Sequence, residues 1–170
     1  VTAVVADPHE IANVLGGGGV RMLMELSEGL PVSFYFMAPS CVPAAPGFET
    51  SGAELTPKEV AELLKQDRVL GLGEVMDVGA VLRGDPAIVA KLEAAKAMGK
   101  AIDGHAPKLT GAELRRYFEA GPRSDHECTE PEEALEKYRL GMWLMLREGS
   151  ASKDLPKLLP AILDSGEPLD

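Results

Sequence analysis

The sequence predicts an α/β protein, an incomplete (β/α) barrel of the TIM type with about six parallel strands. Short apolar runs alternate with segments of helical character, which is typical of parallel strands joined by helical crossovers. Polar residues follow four of these runs, and a barrel, unlike an open sheet, directs every strand end at one site. The 170 residues hold about three quarters of a complete eight-unit barrel.

Composition indicates a single domain over residues 1–170, since 45% of the residues are apolar and can bury a core. No apolar run approaches the roughly 20 residues that cross a bilayer. A net charge of −10 disfavours nucleic acid and anionic membranes as partners. The two cysteines form no C-x-x-C pair, which favours a reduced, cytoplasmic protein. Because the chain opens in a strand without an initiator Met, we expect a fragment.

In the first half of the chain, β-branched residues predict a strand over 1–7, and a second apolar strand spans 31–39. The helical sequence between them contains Gly16–Gly19, which predicts a flexible turn because each glycine costs a helix about 1 kcal/mol. No phosphate-binding motif surrounds this run. A long Pro- and Gly-rich loop after the second strand is a candidate lid.

In the second half, helix caps and stops mark each unit. Thr56 with Glu59, Thr110 with Glu113 and Thr129 with Glu132 each fit the capping box, in which a hydroxyl and a carboxylate satisfy the first backbone N–H groups. Three of the predicted helices stop at a glycine. The predicted strands are 69–75, 100–103, a short run to Asp125, and 142–148; the predicted helices begin at residues 56, 85, 110, 129 and 154.

Three candidate metal ligands follow consecutive strands: Glu74, His105 and His126. Imidazole and carboxylate suit Zn²⁺, Mn²⁺ or Fe²⁺, and neighbouring barrel strands can bring such side chains together. Asp103 and Asp125 could orient the two imidazoles. For any single histidine, capping a loop is the better interpretation, but the three residues together favour a metal.

Other polar residues near strand ends leave two interpretations open. Ser40 could contact a ligand or serve the structure of its loop. Glu127 could face the site or cap the following helix. His9 and His126 each begin an H-E pair, but neither completes the H-E-x-x-H zinc motif.

Seven segments together are similar to the adenine deaminases of bacteria and archaea, a branch of the amidohydrolase superfamily. They span nearly the whole chain in order: VVADPHEIANVLG, MAPSCVPA, GLGEVM, DGHAP, SDHEC, EEALEK and MLREGSA. The resemblance implies a metal-dependent barrel hydrolase that converts adenine, a small purine base, to hypoxanthine and ammonia.

The resemblance also implies which parts of the barrel are present. The chain would hold strands 2 to 7, with Glu74 ending strand 4, His105 strand 5 and His126 strand 6. An H-x-H pair after strand 1 and an Asp after strand 8 would lie outside it. A binuclear Mn or Fe centre is implied, with Zn possible, and His9 and Glu127 become candidates for substrate contact or proton transfer.

Two expectations concern the isolated chain. We expect it to lack deaminase activity, and to form homo-oligomers through unpaired sheet edges. The alternative function is a non-enzymatic α/β module that binds a small ligand or one metal.

Overall fold

A computed structural model describes residues 1–166 of the chain. Within this range, no helix combines the length and apolar character needed to cross a bilayer. The described elements are, in order, β1 (Ala3–Ala6), α1 (His9–Leu26), β2 (Ser33–Pro39), α2 (Pro57–Leu64), β3 (Val69–Val75), α3 (Val78–Arg83), α4 (Pro86–Ala97), β4 (Ala101–Gly104), α5 (Gly111–Ala120), β5 (Ser124–Asp125), α6 (Pro131–Arg139), β6 (Trp143–Leu144) and α7 (Leu155–Asp164).

All pairs of these strands are parallel, as the sequence predicts. β1, β2, β3 and β4 form one sheet in that order, and β5 pairs with β6 in a second, short sheet. The sheets meet where the backbone N–H of Arg123 donates to the carbonyl of Ile102 over 3.0 Å. Strands adjacent in sequence are therefore adjacent in space, without the reversal of a doubly wound sheet. The fold class is confirmed as α/β with alternating parallel strands and helices, consistent with a partial TIM-type barrel.

The main core lies between the helices and the four-stranded sheet. Leu63 of α2 and Leu92 of α4 join Phe36 and Leu72 from β2 and β3 in one buried cluster. Each such side chain contributes about 1.5–3 kcal/mol through removal from water. This packing fixes the helices against the sheet and leaves the carboxyl ends of the strands for other contacts. A smaller cluster beside α6 and α7 contains Cys128, Ala134 and Leu158.

The turn predicted at Gly16–Gly19 is present only as a kink at Gly16, where two helical segments join to form α1. Only Gly16 departs from helical geometry, with φ 61° and ψ −150°. A Cβ at Gly19 would lie 2.8 Å from the carbonyl oxygen of Ile11, so the backbone there packs too closely for a side chain. Tertiary packing therefore outweighs the low helix propensity of glycine.

One predicted capping box is confirmed, at the start of α2. The Thr56 hydroxyl accepts from the Glu59 N–H at 3.3 Å, and the Glu59 carboxylate accepts from the Thr56 N–H at 3.0 Å.

The other two predicted capping boxes are wrong. Thr110 precedes α5 but makes no side-chain cap; instead Glu136 of α6 accepts from the Gly111 N–H at 2.7 Å. Thr129 is displaced because α6 begins later, at Pro131, with Glu130 in the capping position. Proline suits the first helical position, since its ring presets φ and that position needs no N–H partner.

The end of the chain is less regular than predicted. Within the expected strand 142–148, Trp143–Leu144 pairs with β5, and Glu148 forms an isolated antiparallel bridge with Lys153. The predicted last helix is present as α7, although Pro160 lies inside it. A short helix that the sequence analysis missed, α3, begins where the Asp77 carboxylate accepts from the Ala80 N–H at 2.7 Å.

Candidate metal centre

The three predicted ligands, Glu74, His105 and His126, lie together at the carboxyl ends of β3, β4 and β5. Glu74 Oε1 is 3.1 Å from His126 Nε2, and Glu74 Oε2 is 3.8 Å from His105 Nδ1. The imidazole rings meet edge to face with centroids 5.5 Å apart. One ligand atom from each residue lies within 4.8 Å of the others, so a single ion could contact all three.

A bulge in β3 aims the Glu74 side chain at this site. The register of β3 against β4 shifts between Leu72 and Val75, and Glu74 has a φ of 20°. Bulges of this kind add a residue to one strand and turn a side chain toward a new direction. The Ser40 hydroxyl donates to the Glu74 carbonyl at 2.6 Å and thereby holds the strained residue.

The electrostatics of the site suit a cation. The hydrogen bond from His126 holds the pKa of Glu74 below its usual value, and the same contact raises the pKa of His126. Nδ1 of His105 is buried without a hydrogen-bond partner among residues 1–166. Two imidazoles and a carboxylate form a donor set typical of Zn²⁺, Mn²⁺ and Fe²⁺ sites. The residues present therefore fit a divalent metal.

Asp7, which the sequence analysis did not select, lies beside this set. Within the described residues, neither buried carboxylate oxygen of Asp7 has a hydrogen-bond partner; Oδ1 is 3.6 Å from His9 Nδ1. Asp7, His9 and Glu74 form a second group whose ligand atoms lie within 4.8 Å. Burial, and then the charge of Glu74, raises the pKa of Asp7 to about 7. Asp7 follows an apolar strand, and that signal could have identified it.

The close approach of Asp7 depends on a glycine in β3. A Cβ at Gly73 would lie 2.2 Å from Asp7 Oδ2 and 2.7 Å from Met37 Cβ. The absence of a side chain at Gly73 therefore makes the space that the buried carboxylate occupies.

The other predicted functional residues have defined contacts. His9 opens α1 and lies 3.3 Å from Glu10 as well as beside Asp7. Ser40 is 1% exposed, and its hydroxyl donates a hydrogen bond to the Glu74 carbonyl. Glu127 forms an ion pair with Arg147 and lies 3.8 Å from His126 Nε2. The structure thus places all three near the proposed ligands, while their roles stay predictions.

Asp103 and Asp125 bond elsewhere than the sequence analysis expected. Asp103 accepts from the Ser124 hydroxyl at 2.5 Å. Asp125 accepts from Lys137 and from the Glu127 N–H. Within residues 1–166, neither carboxylate makes a hydrogen bond to an imidazole.

Tyr117, on the buried face of α5, joins two of the strand ends. Its hydroxyl accepts from the His105 N–H at 3.0 Å and donates to the Val75 carbonyl at 2.7 Å. The side chain is fully buried. From the sequence, a tyrosine on the apolar face of a helix is expected simply to pack in the core. Its hydrogen bonds could not be predicted, because the residues it bonds are 12 and 42 positions away.

We expect Tyr117→Phe to lower the free energy of unfolding by about 1–3 kcal/mol, because it leaves a buried N–H and a buried carbonyl without this partner. Urea denaturation of the polypeptide that carries this chain measures the change. Tyr35→Phe is the matched control, since Tyr35 is 37% exposed. Equal stability of the two variants would contradict the role assigned to Tyr117.

Comparison with known proteins identifies the class. The model of the amidohydrolase family matches residues 1–162, so the chain belongs to the amidohydrolase family. A strand-end cluster of histidines and a carboxylate on a partial barrel agrees with this membership.

Within that family, the chain is similar to curated adenine deaminases. The adenine deaminase of Methanothermobacter thermautotrophicus is 52% identical over 160 residues, covering 94% of this chain and 30% of the relative. Adenine deaminase 2 of Carboxydothermus hydrogenoformans is 54% identical, and the adenine deaminase of Halalkalibacterium halodurans 52%; each alignment covers 95% of this chain and 28% of the relative. The chain thus spans less than a third of these relatives.

Proposed function

We propose that the polypeptide carrying this chain hydrolyses adenine to hypoxanthine and ammonia. The observation that carries the proposal is the convergence of Glu74, His105 and His126 in a chain about half identical to adenine deaminases. In this reaction water adds an oxygen to the amino-bearing carbon of the purine, and the carbon–nitrogen bond breaks to release ammonia.

Glu74, His105 and His126 would hold the divalent metal. When bound, the metal supplies Lewis acidity and lowers the pKa of a coordinated water. We propose a binuclear Mn or Fe centre, with Zn as the alternative. Glu74 would be a ligand, and it belongs both to the group with His105 and His126 and to the group with Asp7 and His9. The remaining ligands would be the H-x-H pair and the Asp that the family resemblance implies.

The chain's own residues would position the purine and move protons. His9 lies beside the buried Asp7 carboxylate, and Glu127 lies 3.8 Å from His126 Nε2. Both groups can exchange protons with a substrate bound against the strand ends, as general acid–base catalysis requires. Ser40, at the start of the loop that follows β2, is the candidate for substrate contact.

The domain and the setting of the protein are also proposals. Residues 1–170 would form the central part of the barrel, strands 2 to 7, as the family resemblance implies; the alignments with the relatives cover only 27–30% of each relative's length. Two buried free cysteines fit a reducing compartment, and we propose the cytoplasm. We further propose self-association, which light scattering tests.

Activity measurements on the polypeptide with its flanking sequence test the function. After reconstitution with Mn²⁺, Fe²⁺ or Zn²⁺, we expect this polypeptide to convert adenine to hypoxanthine, which chromatography measures. We expect residues 1–170 alone to be inactive. Metal binding without adenine turnover would favour the non-enzymatic binding module. Absence of both metal binding and turnover would overturn the proposal.

A further inference from the structure

Lys137 is a fully buried lysine that the proposed reaction does not use. It lies on α6, and its side chain is 0% exposed. The ammonium donates to the Ala106 carbonyl at 2.6 Å, to Asp125 Oδ2 at 2.5 Å and to Glu133 Oε1 at 2.6 Å. These acceptors match the three hydrogens of an ammonium group. Burying a charge without such partners would cost several kcal/mol, so the placement is specific.

Two of the acceptors adjoin the proposed metal ligands. Ala106 directly follows His105, and Asp125 directly precedes His126. The second oxygen of Asp125 accepts from the Glu127 N–H at 2.9 Å. This carboxylate therefore links the Lys137 ammonium to the backbone of the residue that follows His126. One ammonium therefore connects the chain segments that carry the two histidines.

Glu133 extends the connection to the loop after β4. Its Oε1 also accepts from the Lys108 N–H at 2.8 Å, three residues beyond His105. The carboxylate is almost fully buried and bonds Lys137 one helical turn away. Lys137 and Glu133 thus attach the loop after β4 to α6 at two points.

This cluster is not itself a metal site. Asp125, Cys128 and Glu133 have ligand atoms close enough to share an ion. However, the Lys137 ammonium bonds both carboxylates and is the cation of the group.

We propose that Lys137 is a positioning residue that sets the separation and orientation of His105 and His126. The inference rests on the proposed function, since it assumes that these histidines bind a metal. Without the ammonium, the Ala106 carbonyl and the Asp125 carboxylate lose their common partner. The loop after β4 and the end of β5 can then move apart, and the imidazoles lose the geometry that one ion requires.

Titration with Co²⁺ tests the inference on the polypeptide with its flanking sequence, because visible absorption of bound Co²⁺ reports the ligand geometry. We expect Lys137→Met to weaken Co²⁺ binding by about 10- to 100-fold, the range for loss of groups that orient metal ligands, and to shift the absorption bands. Lys100→Met is the matched control. Lys100 donates to the Val69 carbonyl, at the end of β3 away from Glu74. The Co²⁺ affinity of this variant should therefore stay within twofold of wild type, and its absorption bands should not shift.

A folded Lys137→Met variant with wild-type Co²⁺ affinity and spectrum would overturn the inference. If that variant does not fold, the double variant Lys137→Met, Glu133→Gln replaces it. The double variant removes one ammonium and one carboxylate together. The cluster therefore keeps the net charge of −1 that Lys137, Asp125 and Glu133 have in the wild type. We expect the same loss of affinity from it, and wild-type behaviour there would be equally decisive against the inference.

The failure of the proposed function gives a different result. If Glu74→Gln leaves Co²⁺ binding unchanged, the metal site itself is wrong and the role of Lys137 falls with it. If Glu74→Gln abolishes binding while Lys137→Met does not alter it, the metal site stands and only the positioning role is wrong.

Discussion

Glu74→Gln is expected to weaken divalent metal binding by more than about 100-fold, beyond the range for groups outside the ligand set. The amide has the shape of the carboxylate but lacks its negative charge, and that charge attracts the metal cation. For the proposed deamination, we expect the loss of several kcal/mol of metal-assisted stabilisation to lower turnover by about 1,000-fold, since each 1.36 kcal/mol is tenfold in rate. Metal analysis after dialysis and a hypoxanthine assay measure the two effects.

Glu119→Gln is the control for this substitution. Glu119 is an exposed carboxylate on α5, so neutralising it should leave metal content and turnover unchanged. A Glu74→Gln protein that retains the wild-type metal content would show that Glu74 is not a ligand, even if activity fell.

Gly104→Ala is expected to lower the free energy of unfolding by about 3 kcal/mol or more, at the upper end of the usual cost of overpacking. A Cβ at Gly104 would lie 2.2 Å from the carbonyl oxygen of Ser124, and a backbone atom cannot move aside as a flexible side chain can. The added methyl group must push β4 away from β5. Because His105 follows Gly104, we also expect weaker metal binding. Urea denaturation and Co²⁺ titration measure both effects.

Gly18→Ala is the matched control in a helix. A Cβ at Gly18 meets no atom within 4 Å among the described residues, and the position is exposed within α1. Replacing glycine there should raise stability by up to about 1 kcal/mol. If Gly104→Ala is as stable as wild type, the contact between β4 and β5 is looser than the structure indicates.

The arrangement of the proposed ligands could be predicted because its signals are local. Each of Glu74, His105 and His126 follows a short apolar run, and parallel strands bring their carboxyl ends to one side of a sheet. The sequence therefore predicted both the α/β fold and the convergence of the three side chains. Asp7 carries the same signal, since it follows the first apolar run of the chain.

Features that depend on distant contacts could not be predicted in this way. Gly16–Gly19 has the composition of a turn, yet packing keeps most of it helical. Thr110 has the spacing of a capping residue, but a carboxylate from another helix serves the start of α5. Tyr117 and Lys137 appear in the sequence as an apolar and a charged helical residue. Only the folded chain shows that each bonds groups on two different strand ends.

The bonds that Tyr117 and Lys137 make have a consequence for how such a site could change over time. Tyr117 contacts main-chain atoms of His105 and Val75, and Lys137 contacts the main chain of Ala106. Neither anchor bonds a ligand side chain in the described structure. The residues that hold the backbone of the site are therefore different from the side chains that would bind the metal. A lineage or a designer could exchange the donor atoms at these strand ends, and so the preferred metal, while the same anchors keep the backbone in place.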